Sequence, residues 1–198
     1  MDTQGALHIG AGERGLEAML QRAVRLDAQA KLRLQQAGEA VNVYVTTPFE
    51  VLACRRVQGS AHDASPRLAA TWAPATSWPG ALPPARGFQL LDTVPVDVAH
   101  DLAEQGRGLA RQFSGPLGPP ASLLNQSVLT VEASEATAEI SMRMIFACTA
   151  MGFIPPAFTA AEDMPRTLRV STAGSWVRID APFGSVYHAK RLNLLTLG

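Results

Sequence analysis

The stretches Val43–Phe49 and Val177–Phe183 read V-Y-V-T-T-P-F and V-R-I-D-A-P-F, a shared V-x-[VI]-x-[TA]-P-F, and an apolar segment follows each. Alternating apolar side chains mark a strand with one face turned to a core. Proline then sets φ entering a turn, and phenylalanine folds back onto the sheet. Each segment therefore announces a hairpin, and two such hairpins limit the fold more than any other feature of the chain. The echo has two readings. Either two turns use one local solution, or half of the chain is duplicated about a pseudo-twofold axis. No longer repeat accompanies it.

The remaining periodicity supplies elements around these hairpins. Val41–Thr47 and Val51–Val57 form the first strand pair. Leu168–Thr172 and Trp176–Ala181, joined through Gly174, form the second, with Ser185–Ala189 as a third strand. Phe88–Asp92 and Ser127–Ala133 are further strands. Leu16, Leu20, Ala23, Ala30 and Leu34 recur at helical spacing, so a helix is expected over Leu16–Ala37, with Gly38 as its stop and Asp27–Lys31 as a favourable i,i+4 pair. A second helix is expected over Pro95–Phe113, capped by Asp92 or Thr93, with Val94, Val98, Leu102, Leu109 and Phe113 on its apolar face. Met142–Gly152 is read as a third, buried helix. Gly59–Gly87, rich in proline, serine and alanine, is read as a long connection.

Strands and helices do not alternate as βαβ units, which favours α+β over a doubly wound sheet. The expected architecture is a twisted, mainly antiparallel sheet of about six to eight strands, with about three helices mostly on one face. Residues 1–14 are expected to form a flexible glycine-rich leader and residues 15–198 a single domain. A chain of 198 residues buries roughly 70% of its unfolded surface, enough to fold without staples.

Composition narrows the function classes. Lys+Arg and Asp+Glu are both 17, so no global attraction to nucleic acid or anionic membrane is expected. Arginine dominates the positive charge, a bias typical of GC-rich bacterial genomes. Cys54 and Cys148 lie far apart and suggest reduced, buried thiols rather than a disulfide framework. The most apolar segment, Met142–Ile154, falls short of the ~20 residues a membrane helix needs, and a cytoplasmic location is expected. His8, His62, His100 and His188 show no metal-ligand spacing, and no catalytic constellation is signalled. No metal and no cofactor are implied.

Three features could carry function. Gly10, Gly12 and Gly15 complete a G-x-G-x-x-G before the first helix, where backbone N–H groups could cradle a pyrophosphate. Against that, the preceding apolar stretch is short, and no acidic residue follows to hold a ribose. Arg22, Arg25 and Arg33 would line one side of the first helix and could contact phosphates of a nucleic acid. The outer face of a helix packed on a sheet is the favoured account of the same arginines. Trp72 and Trp78 lie in the proline-rich connection and could engage a protein or small ligand, or pin the loop to the body. The reading that results is a non-enzymatic binding or regulatory module for a protein or small molecule. Alternatives are a nucleotide binder or enzyme using Gly10–Gly15, and a nucleic-acid binder using the arginines. A homodimer could form through a sheet edge such as Leu168–Thr172.

Overall fold

A computed structural model describes residues 6–62, 71–72, 77–113, 119–133, 136–156 and 164–189. In chain order the elements are β1 (Ala6–Ala11), α1 (Glu13–Leu26), β2 (Lys31–Ala37), β3 (Ala40–Thr46), β4 (Leu52–His62), β5 (Thr71–Trp72), β6 (Gln89–Pro95) and α2 (Val96–Phe113). They continue with α3 (Ala121–Asn125), β7 (Ser127–Ala133), β8 (Ala136–Ser141), α4 (Met142–Ala150), β9 (Thr167–Ala173), β10 (Trp176–Ala181) and β11 (Gly184–Ala189). The fold is α+β. Its large sheet runs β5-β2-β3-β4-β11-β10-β9-β6, with β1 added beside β4, and only the β2–β5 pair is parallel. β7 and β8 form a separate antiparallel ribbon.

Both hairpins read from the V-x-[VI]-x-[TA]-P-F echo are present, as β3–β4 and β10–β11. Each belongs to a three-stranded meander, β2-β3-β4 and β9-β10-β11, and the two meanders meet antiparallel through their last strands. Val45 of β3 faces Ala53, Ile179 of β10 faces Val186, and Ala53 faces Val186. Equivalent residues thus pair with each other, and the strand register has a local twofold through Ala53 and Val186. The turns Gly38-Glu39 and Gly174-Ser175 match as well, each opened by a glycine at positive φ, 71° and 56°.

The expected helix over Leu16–Ala37 is two elements. α1 ends where the Asp27 N–H donates to Ala23 O, and the Asp27 carboxylate then accepts from the Gln29 N–H at 2.8 Å. This side-chain-closed turn competes with further helix. Beyond it Leu32 and Leu34 face Val45 and Val43 across β2–β3, so cross-strand packing overrides the helical spacing. Lys31 is not an i,i+4 partner of Asp27: its Nζ donates to Ser77 O at 2.8 Å. Gly38 opens a hairpin instead of stopping a helix. The stretch expected as a glycine-rich leader includes β1, antiparallel to β4 from Ala6 to Ala11.

α2 begins at Val96, whose N–H donates to Arg166 O at 2.9 Å, so neither Asp92 nor Thr93 caps it. Its buried face is also not the expected one. Val96, Ala99, Ala103 and Gly106 face inward, while Val98, Leu109 and Phe113 are exposed. The small-residue side wins because α4 approaches closely: a Cβ on Gly106 would lie 2.6 Å from Met142 Sδ and 2.8 Å from Phe146 Cε1. α4 ends at a glycine-terminated stop. Gly152 has φ 66°, the Phe153 N–H donates to Cys148 O, and the Gly152 N–H donates to Thr149 O.

α1 and α4 cover one face of the sheet, over a core that includes Leu16, Leu20, Val43, Val45, Met144 and Ile179. The opposite face carries a second cluster, Tyr44, Cys54, Trp78 and Tyr187, flanked by Leu82, Phe88 and Trp176. There the Arg178 guanidinium lies 4.4 Å from the Phe88 ring centroid and pairs with Asp180 at 2.9 Å. β9 is hydrogen-bonded on both sides, to β10 and β6, so Leu168–Thr172 is not a free edge.

Candidate functional site, an arginine-lined cleft

Helix α1 starts directly after β1 because Gly12 adopts φ 96°, ψ 3°, and the Leu16 N–H donates to Gly12 O at 3.1 Å. The absence of a side chain at Gly12 also keeps the turn off Val57, whose Cγ1 would lie 3.2 Å from a Cβ. Gly15, in the first helical turn, lies over the guanidinium of Arg55 from β4, where any Cβ would overlap it. The Arg55 Nη1 donates to the carbonyl of Phe183, the phenylalanine of the second P-F turn. A similar pairing forms further along α1. The Arg22 Nη1 donates to Met151 O at 3.4 Å, and its guanidinium lies against Gly152. From α2, His100 Nε2 is 2.8 Å from Pro155 O, and Arg107 pairs with Glu104 at 2.6 Å on the solvent side.

These groups border one cavity of about 560 Å³ between α1, α2 and the turn after α4. Arg22, Arg55, Arg107 and His100 line it, together with apolar Met19, Phe153, Ile154 and Phe183; no carboxylate is among its described lining residues. The partners of Arg22 and Arg55 are neutral carbonyls, so neither charge is matched by a carboxylate among the described residues. Burial lowers the Arg55 pKa from its usual range, the mark of a desolvated cation. An arrangement of this kind can hold an anion through charge-assisted hydrogen bonds.

The sequence-derived candidates distribute unevenly. Gly15 and Arg22 border the cleft; Gly10 and Gly12 do not. The G-x-G-x-x-G does not follow a central parallel strand, since β1 is antiparallel to β4. Arg25 is exposed in the last turn of α1, and Arg33 lies on β2 opposite Tyr44, so Arg22, Arg25 and Arg33 do not share one helical face. Trp78 is buried, 5% exposed, in the second cluster. The Trp72 backbone lies in β5; its side chain, like those of His8 and His62, falls outside the described residues, as does Lys190. Arg55 and Arg107 were not singled out from sequence, and His100 was weighed there only as a metal ligand and set aside. The one local signal was the seven-residue spacing of His100 and Arg107, which puts both on one side of α2.

Cys54 and Cys148 are buried and unpaired with each other, and burial pushes both thiols far above their ordinary range. Among the described residues no cluster of His, Cys, Asp and Glu could hold a metal, and no helix is long and apolar enough to cross a membrane.

A family model described as Domain of unknown function (DUF8185) matches residues 83–193, more than half of the chain. The chain belongs to the DUF8185 family. A second model, Domain of unknown function (DUF8010), matches residues 4–100. No curated protein matches the chain. The DUF8185 stretch supplies β6 to β11 and, to the cleft, Arg107, Gly152 and Phe183; the DUF8010 stretch supplies Gly15, Arg22 and Arg55. His100 lies where the two overlap. In this DUF8185 chain the large sheet and the cleft both draw on the two matched stretches.

Proposed function

We propose that this protein is a binding module, without chemistry of its own, that holds a small anionic ligand in the arginine-lined cleft. One observation carries the reading. Arginines from α1, β4 and α2 line a single cavity, and two of them, Arg22 and Arg55, have only carbonyl partners among the described residues. Arg55 is held partly out of water without a counter-charge, which is costly, and a bound anion offsets that cost. The cavity has the volume of small-ligand sites, about 300–1,000 Å³.

The test is titration of ¹⁵N-labelled protein with sulfate, citrate and phosphate, followed by amide shifts. The expected shifts cluster at Gly15, Arg22, Arg55 and Gly152 and weaken as salt rises. Shifts scattered over the molecule, or none at millimolar anion, would remove the proposal.

A further inference from the structure

We infer that the ligand of this cleft is a phosphorylated small molecule, carrying at least two negative charges and an adjoining organic part. This rests on the anion-binding reading above and narrows it. Glu104 already sits against Arg107 at the rim. Arg22 and Arg55 remain without a carboxylate among the described residues, so a dianion balances the cleft where a monocarboxylate leaves one charge over. Each of these guanidiniums donates one hydrogen bond to a carbonyl, which leaves further N–H groups of its planar fork for a ligand. That fork matches the oxygens of a phosphate bidentately.

Size and wall chemistry supply the organic part. A cavity of about 560 Å³ is far larger than one inorganic ion, and Met19, Phe153, Ile154 and Phe183 give it an apolar side. His100 and Arg107 stand two turns apart on α2, about 10 Å along the axis. Polar groups are thus spread further than one phosphate reaches, as a phosphate chain or a phosphate with a polar organic group requires. The glycines fit the same purpose. Gly15 and Gly152 leave room for Arg55 and Arg22 to lie flat against the backbone, which holds the two cations at the cavity wall. The Gly10–Gly15 motif therefore serves the cleft through Gly15 and its arginine, not through a backbone cradle.

Isothermal titration of the full chain at low salt, with inorganic pyrophosphate, ADP, citrate and octanoate as probes, tests this. ADP is expected to bind best and pyrophosphate next. Arg22→Gln and Arg107→Gln should each weaken ADP at least tenfold, while Arg25→Gln, outside the cleft on the same helix, should leave it unchanged. Arg107 is on the exposed side of α2, so its variant remains informative if Arg22→Gln folds poorly. Binding of citrate or octanoate sensitive to Arg107→Gln, without binding of either phosphate probe, would overturn the phosphate assignment and leave the anion site standing. No binding of any probe at millimolar concentration would overturn both.

Discussion

The guanidinium of Arg55 occupies the space that a side chain at Gly15 would fill, so the first turn of α1 and the middle of β4 approach each other through a bare α-carbon. The same arginine donates to the carbonyl of Phe183. The other P-F turn is treated alike: Arg143 of α4 donates to Phe49 O at 2.7 Å. Each half of the echo thus presents its phenylalanine carbonyl to an arginine from elsewhere in the fold, and one of the two arginines borders the cleft.

Gly15→Ala should separate binding from stability. The added methyl displaces the end of a flexible arginine rather than backbone, and alanine favours a helix by about 1 kcal/mol over glycine. The expected unfolding free energy is within about 1 kcal/mol of the parent, while anion affinity falls because Arg55 is pushed from the wall. A calorimetric melt beside a phosphate titration checks both. Unchanged affinity would detach Arg55 from the site.

Arg143→Ala should cost far more in stability. Its side chain is 5% exposed and donates to Phe49 O, to Glu50 Oε2 at 2.8 Å and to Asn125 Oδ1. Removing it strands a part-buried carbonyl and takes one ion-pair partner from Glu50, the described non-glycine residue at positive φ, 57°. The expected loss is about 2–4 kcal/mol, read as a lower urea midpoint with an unchanged m-value. A loss below about 0.5 kcal/mol, typical of an exposed site, would contradict the buried network.

Gly106→Val tests the close contact of α2 with α4. The new side chain meets Met142 and Phe146, both buried, and cannot turn to solvent. Overpacking of this kind costs about 1–3 kcal/mol. Gly108→Ala, two residues on with open space at its Cβ, should instead be neutral or stabilising. Equal melting temperatures for Gly106→Val and the parent would mean that the helices are not in contact there.

Stability should fall at alkaline pH. Burial raises the thiols of Cys54 and Cys148 and the hydroxyls of Tyr44 and Tyr187 far above their ordinary values. In the unfolded chain thiols ionise near pH ~8.5 and tyrosines near ~10. The unfolded state then releases protons that the folded state keeps, so stability is full below about pH 8.5 and declines above it. The slope reaches about 1.4 kcal/mol per pH unit for each thiol. Urea midpoints at pH 7, 9 and 10 measure it, and Cys148→Ala should flatten the decline. A flat profile to pH 10 would show that the thiols are open to solvent.

Much of the sheet was legible because its signals are local. The period-two runs, the P-F turns and Gly174 mark hairpins without reference to the rest of the chain, and those hairpins are present. Residues 27–37 were not legible, because Ala30 and Leu34 continue the helical spacing by coincidence while Leu32 and Leu34 satisfy the strand spacing. What decides between them is β3, whose Val43 and Val45 supply the partners. The inward face of α2 was hidden for a related reason. Its bulkier stripe scores higher by hydrophobicity, but α4 lies too near for bulk, and Ala99, Ala103 and Gly106 take the contact.

By itself the sequence determined antiparallel pairing, the two equivalent turns and the α+β class, since each follows from spacing and turn chemistry within a few residues. Only the tertiary structure decided that Arg22, Arg55 and Arg107 share one cavity. They come from a helix, a central strand and a second helix with no fixed spacing between them. Their charges meet only once the two meanders have joined at Ala53 and Val186 and the helices have closed over one side of the sheet.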